Sequence, residues 1–337
     1  MANLRVAELD FDQIKANLKN YLASQSEFSD YDFEGSGLST LLDVLAYNTH
    51  YNAYMANMVA NEMFLDSAVK RSSAVSLAKH LNYTPTSARG SIANIDIVVT
   101  NPTDLPAFLT MERYTPFVSQ INGVSYTFRT NETKVANKVG NTYTFSGVDV
   151  VEGALSTYTY VVADNTPDAK YKIPSLTVDT NTLQVAVQRS TSDTTTELYT
   201  QVDDITGITS TSKVFYLEQN PQGYYEIYFG DGILGKQLTI GNIITITYMS
   251  VAGTVTNVSS TLSQTFNPST TIGGSSAIAV TTNTNSTGGA DTETITSIKF
   301  NATRLNSAKN RAVTKEDYKS LILSKYRNAE AVTVWGG

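Results

Sequence analysis

The sequence of 337 residues has no cysteine, which excludes disulfides, thiolate metal sites and a Cys nucleophile. It has two histidines, His50 and His80, at no metal-ligand spacing, so His50 is expected to be a partly buried helix histidine rather than a ligand. A Ser-His-Asp triad needs no fixed spacing, yet there is no Gly-x-Ser-x-Gly elbow to present its serine. No run approaches 18 apolar residues, so no helix is expected to cross a membrane. The N-terminus lacks the apolar core of a signal peptide, and the chain reads as soluble and made and used without secretion. Basic surplus is missing too: 24 Lys and Arg stand against 31 Asp and Glu, so no nucleic-acid footprint is expected.

What remains is a chain of 41% hydrophobic and only 16% charged residues, long enough for two or three domains. It is rich in Thr, Ser and Asn, and its 20 tyrosines lean toward β structure.

Residues 1–85 read as helical. Asp10-Phe11-Asp12 opens a short segment in which Ile14, Leu18 and Leu22 recur four apart. Ser, Asp and Gly break it over 24–37, where "DYDFE" (30–34) lacks the spaced ligands of a calcium loop. A long helix is expected over Leu38–Phe64, free of Pro and Gly. Leu38, Leu41, Leu45, Met55, Val59 and Met63 mark one face, and Tyr47, Tyr51, Tyr54 and Met58 a second. Two apolar faces imply burial on two sides, one against a partner; the plainer reading is packing against a helix over 67–81. Asp66 or Ser67 is expected to cap that helix, and Asn82 and Pro85 to end it.

From about 90 to 285 the period falls to two, in runs such as "NIDIVV", "SYTFRT", "LQVAVQRS", "KVFYLEQ" and "NIITITYMS". Asn122-Gly123 and Pro221-Gln222-Gly223 are hairpin signals. The polar stretch 253–290 reads as an extended linker or mobile hairpin. Helical patterning returns after "TGGAD" (287–291), and Thr314 with Asp317 forms a capping box. "AEAVTVWGG" (329–337) reads as a strand with little left to pair with, as in a piece of a longer polypeptide. The fold class is therefore α+β and multidomain. A helical bundle-forming domain over 1–85 precedes a long antiparallel β domain over 86–285 and the start of an α/β C-terminal domain over 286–337.

"FGDGILGK" needs weighing as chemistry. Gly230, Gly232 and Gly235 fit Gly-x-Gly-x-x-Gly, but a dinucleotide fingerprint leads into a helix, and here a strand follows. A phosphate loop fails as well, since Gln237 stands where Ser or Thr meets magnesium. The stretch reads as a hairpin with Asp231-Gly232 at its turn and Gly235 in a bulge, and no cofactor is expected. Acids such as Asp149 near Glu152, or Asp203-Asp204, read as exposed loop carboxylates.

The order of segments is more specific than any one of them. The run from Leu41 to Pro85 resembles the N-terminal helical signature of the baseplate J-like superfamily. Residues 225–257 are similar to its Phe-Gly-Asp-Gly hairpin followed by Gly-x-x-Ile-x-x-x-Tyr. Residues 288–322 are similar to its Gly-Gly-x-Asp-x-Glu and Asn-Arg-Ala-Val-Thr-x-x-Asp-Tyr motifs. The three stretches, in order, cover most of 36–335, and the β domain and "VWGG" look most like the baseplate wedge proteins of T-even-type contractile-tailed phages. That resemblance implies a structural, non-enzymatic role in the virion, assembled in the host bacterial cytoplasm. It implies as partners a second copy, a larger wedge protein joined through an N-terminal helix bundle, and small baseplate proteins at the sheath junction. It implies an inner ring that rearranges on contraction; charge and hydropathy, separately, leave neither nucleic acid nor membrane as an expected partner. The alternatives are a carbohydrate-binding tail or adhesin domain, favoured by the Tyr- and Thr-rich β region, and a hydrolase using scattered acids such as Asp203 or Glu226.

Overall fold

A computed structural model describes residues 10–25, 27, 36–164, 166, 169–202, 206–308, 311–325 and 332–335, with side chains left out at 307, 308, 320 and 323–325. The chain divides into two compact units, Met1–Tyr83 with Ile295–Lys309, and Thr84–Thr294 with Asn310–Gly337.

The first unit is helical. Helix α1 (Phe11–Ala23) starts at Asp10, whose carboxylate accepts from the Asp12 and Gln13 N–H groups. Helix α2 (Gly37–Glu62) starts at Ser36, whose hydroxyl accepts from Ser39 N. The two helices pack along one another, tied by a Lys15–Asp43 ion pair. Helix α3 (Arg71–Lys79) begins later than expected, and neither Asp66 nor Ser67 caps it. Ser67 instead donates to Asn61 O, and the Glu62 carboxylate meets the Val69 and Lys70 N–H groups. Asn82, at φ 55°, turns the chain away after α3.

The partner of α3 is α4 (Ile295–Ala308), with Val75, Ala78, Tyr83, Ile298 and Ala302 forming a small core. The segment expected to open a C-terminal domain at 286 is thus divided, its strand staying with the β unit and α4 joining the N-terminal helices. Helix α5 (Lys315–Lys325) carries the expected capping box. Asp317 N donates to Thr314 Oγ1 (3.2 Å), and Thr314 N to Asp317 Oδ2 (2.8 Å). Residues 332–335 form no strand, and the rest of the expected 329–337 strand lies outside the described residues.

The second unit contains two sheets. The first holds β1 (Ile92–Thr100), β2 (Phe108–Met111), β3 (Pro116–Ile121), β4 (Val124–Thr130), β5 (Lys134–Val139), β6 (Thr142–Glu152), β14 (Asn267–Pro268) and β15 (Ile278–Thr287). Its main path is β14-β3-β4-β6-β1-β15. Strand β1 buries every second residue, and Ile95, Ile97, Phe117, Phe128, Tyr143 and Val150 fill the core. Asn122 (φ 52°) and Gly123 (φ 80°) make the two-residue β3–β4 hairpin, both in the left-handed region that such a turn requires.

The second sheet holds β7 (Ala154–Val161), β8 (Tyr171–Lys172), β9 (Val178–Gln188), β10 (Thr196–Gln201), β11 (Val214–Gln219), β12 (Tyr225–Phe229) and β13 (Ile243–Ser250). Its order is β7-β13-β9-β10-β11-β12-β8, around Ile173, Phe215, Ile227, Ile244 and Ile246. Two expectations change here. The pairing is antiparallel except between β10 and β11, which run parallel. The presumed linker 253–290 contains β15, which pairs along β1 and packs Ile278 and Val280 on the first core. Its Thr-rich polarity belongs to its outward face, and β-branched Thr suits a strand.

Candidate assembly surface

Helix α2 is where sequence and fold diverge most usefully. At 3.6 residues per turn, Ser39, Leu42, Ala46 and Asn57 fall on one side and are its buried residues. Leu41, Val44, Leu45, Tyr47, Tyr51, Tyr54, Met55 and Val59 fall on the opposite side and are all exposed, Tyr47 to 66% and Val59 to 63%. Leu38 lies half-buried at one margin, and around the helix Met58 lies half-buried between Tyr47 and Tyr51. The two apolar faces expected from the sequence are therefore one broad stripe, roughly half the circumference of the helix. Packing on α3 does not cover it, because α3 packs with α4. Met63, Phe64 and Val69 extend the exposed apolar surface beyond the end of α2.

The polar groups within the stripe are partly self-satisfied. Asn52 donates to Asn48 Oδ1 (3.3 Å), and Thr49 Oγ1 to Leu45 O (2.8 Å). Burying them against another helix would therefore orphan fewer groups than the sequence suggests. Completely burying one Leu, Val or Met side chain is worth about 1.5–3 kcal/mol, so the stripe is a large uncollected contribution in the free chain. His50 is half-buried on α2 with Nδ1 unpartnered, His80 is exposed, and no metal-holding cluster of His, Asp and Glu occurs among the described residues.

The Gly230–Leu238 stretch is a turn but not a hairpin. Strand β12 pairs with β11 and β8, while β13 pairs with β7 and β9, so residues 230–242 join strands that are not neighbours. Both edges of β12 are already occupied, which rules out folding back. Asp231 Oδ1 accepts from Ile233 N (2.9 Å) and Leu234 N (2.8 Å), and these bonds hold its carboxyl below the usual range. A Cβ on Gly230 would collide with the Gly235 backbone, and Gly232 (φ 89°) and Gly235 (φ 100°) need the left-handed region. Gly235 sits in no bulge; its N–H donates to Thr209 O. The cavity beside Gly230 is about 20 Å³. That is room for one water, far below the several hundred Å³ of a small-molecule site.

The acids weighed from sequence scatter. Asp149 is exposed and accepts from Asn94, whereas Glu152 on the same strand is buried; Glu226 accepts from Asn220. Asp203-Asp204 and residues 30–34 lie outside the described residues. Sequence reading missed Glu152 as buried. Burial pushes its carboxyl up, against a hydrogen bond from Ala252 N and with the Asp179 charge adding to the rise.

Residues 10–83, which carry α1, α2 and α3, match the family model of the baseplate wedge protein gp6-like helical domain. Baseplate wedge protein gp6 of Enterobacteria phage T4 is 28% identical over 341 residues, covering 94% of this chain and 50% of that protein. The resemblance is to wedge protein gp6. The chain spans about half the length of this relative. Among solved structures, the cryo-EM structure of the anti-feeding prophage (AFP) baseplate aligns over 94% of this chain and 56% of the other. Its identity is 12% and its TM-score 0.34. The gp6-like region contains every residue of the apolar stripe from Leu38 to Val59, whereas the Gly230 turn lies outside it.

Proposed function

We propose that this chain is a structural subunit of a phage tail baseplate wedge, located in the virion and assembled in the host cytoplasm. Helix α2 docks its exposed apolar half into a helix bundle shared with a second copy and a larger wedge protein. Small baseplate proteins at the sheath junction complete the contacts. The β unit helps form an inner ring whose subunits move as rigid bodies about their interfaces when the tail contracts. The observation that carries this reading is the apolar half of α2, left bare by its own fold within the gp6-like region. An exposed apolar patch of this extent marks an interaction surface. The role asks no chemistry of the chain, and the reading is non-enzymatic.

Co-expression with the neighbouring tail genes, followed by mass measurement of the purified complex, tests it. A complex of two copies with one larger protein is expected, lost when Leu45, Tyr51 and Met55 are changed to Asp while the β unit keeps its melting transition. A complex that survives those three changes would sink the bundle reading.

A further inference from the structure

Sheet edges expose unpaired backbone N–H and C=O groups, and proteins blunt them with charge, proline, bulges, brevity or a covering segment. This chain does so at its other sheet ends. Strand β8 has two residues, one of them Lys172, and β14 has two, one of them Pro268. Strand β2 stops after four. The outer edge of β15 is covered by the chain ahead of β14, with Val258 N donating to Ser286 O (2.7 Å) and Ser286 N to Gln264 Oε1 (2.7 Å).

Strand β7 has none of these devices. It runs eight residues, Ala154-Leu-Ser-Thr-Tyr-Thr-Tyr-Val161, without charge or proline. Strand β13 pairs with every one of them in unbroken register, so no bulge twists the edge away. On the other side no backbone group of 154–161 has a partner among the described residues. Thr157, Tyr158, Thr159 and Val161 are exposed.

We propose that β7 pairs antiparallel with β7 of a second copy about a two-fold axis at Tyr158, joining two seven-stranded sheets into one. The sequence carries the choice of occupant. Two-fold pairing sets each side chain opposite one from the same strand, so any charge at the axis would face its own kind. An uncharged strand is what self-pairing requires, whereas an edge built for a charged peptide would carry the opposite sign. In the Tyr158-centred register, Tyr158 meets the second copy's Tyr158, Thr157 meets Thr159, and Leu155 meets Val161. These are aromatic, hydroxyl and aliphatic pairs of the kinds that stabilise antiparallel strands. This surface is independent of α2, and each is broken by its own substitutions.

The absence of cysteine makes the register directly testable. Opposed residues in an antiparallel pair lie about 4.5–5.5 Å apart at Cα, within disulfide reach, whereas a residue two positions off lies about 7–8 Å away. The full chain carrying Tyr158→Cys, in an otherwise unchanged background and again with the three α2 substitutions, is oxidised beside Thr157→Cys. Expected is a doubling of mass from 36.6 kDa on non-reducing gels for Tyr158→Cys in both backgrounds, and little for Thr157→Cys. Thr157→Lys combined with Thr159→Lys, which sets like charges opposite one another, abolishes the crosslink while leaving the melting temperature unchanged. A Tyr158→Cys chain that stays monomeric overturns the proposal. So does equal crosslinking at position 157, or a crosslink to a different protein when tail genes are co-expressed.

Discussion

The carboxylate of Glu62, the last residue of α2, accepts the backbone N–H of Lys70, the residue just ahead of α3, at 3.2 Å. It also takes Val69 N at 2.9 Å, and so ties the end of α2 to the two residues just ahead of α3. Partial burial raises its pKa, but bonds from Ser73, Val69 and Lys70 outweigh that and leave it lowered. Glu62→Ala should therefore cost the helical unit about 1 kcal/mol, the usual net scale of a lost hydrogen bond. A folded pKa below the unfolded value means the contribution is present above the unfolded pKa, about 4.3, and fades as pH falls through the folded value. Thermal melts of wild type and variant at pH 7 should differ, and the difference should shrink as pH drops below about 4.

Glu152 titrates with the opposite sign. Its buried carboxyl is raised by desolvation, against the Ala252 bond and with the charge of Asp179 beside it, so ionisation at neutral pH strains the fold. A raised folded pKa contributes stability below the unfolded pKa, and that contribution is lost as pH rises through the folded one. Glu152→Gln keeps an oxygen for Ala252 N and removes the charge. It should raise the melting temperature at pH 7 by about 2–4 °C, the shift expected of roughly 1 kcal/mol. The gain should vanish near pH 4. A gain that persists at low pH would show that charge is not the cause.

Ile298 tests the division of the chain. It is fully buried with Ala302 against Val75, Ala78 and Tyr83, although it is far from them in sequence. Ile298→Ala should cost about 2–5 kcal/mol, the range for truncating a core aliphatic. The loss should appear in helical circular dichroism on heating, with the β unit melting as before. If only the β transition moves, α4 belongs elsewhere.

Much of this was legible from the residues alone. Period-two runs located β1, β4, β9, β11 and β13, and Asn122-Gly123 announced its hairpin, because each signal is local. The long helix was visible to within two residues at each end. What escaped depends on partners distant in sequence. Strand β15 looks like a linker until β1 lies beside it, and nothing in α4 says it packs on α3. The Asp231 stretch reads as a hairpin in the sequence, but whether a turn makes a hairpin depends on which edges β12 and β13 have free. On α2 the residues named from the sequence as two faces lie on one side of the helix. Tyr51 and Met55 are neighbours at four apart, so faces named separately merged into one stripe.

The Gly230 turn allows a comparison between two glycines two residues apart. Gly232 has a positive φ but open space, its nearest neighbour being the flexible Gln237 side chain at 3.6 Å. Gly230 has no positive φ, yet a methyl there would strike the backbone of Gly235, which has no room to retreat because its N–H is held by Thr209 O. Gly232→Ala should therefore cost about 1 kcal/mol, the left-handed penalty of an L residue. Gly230→Ala should cost more, on the order of 1–3 kcal/mol, because main chain must move. Denaturant melts of the two variants order them, and a Gly230→Ala chain as stable as wild type would mean the turn opens without consequence. Tyr216 reports the same event locally, since its hydroxyl donates to Leu234 O at 3.3 Å and stacks its ring on Tyr228. Its fluorescence or ring resonances should shift in Gly230→Ala and stay put in Gly232→Ala.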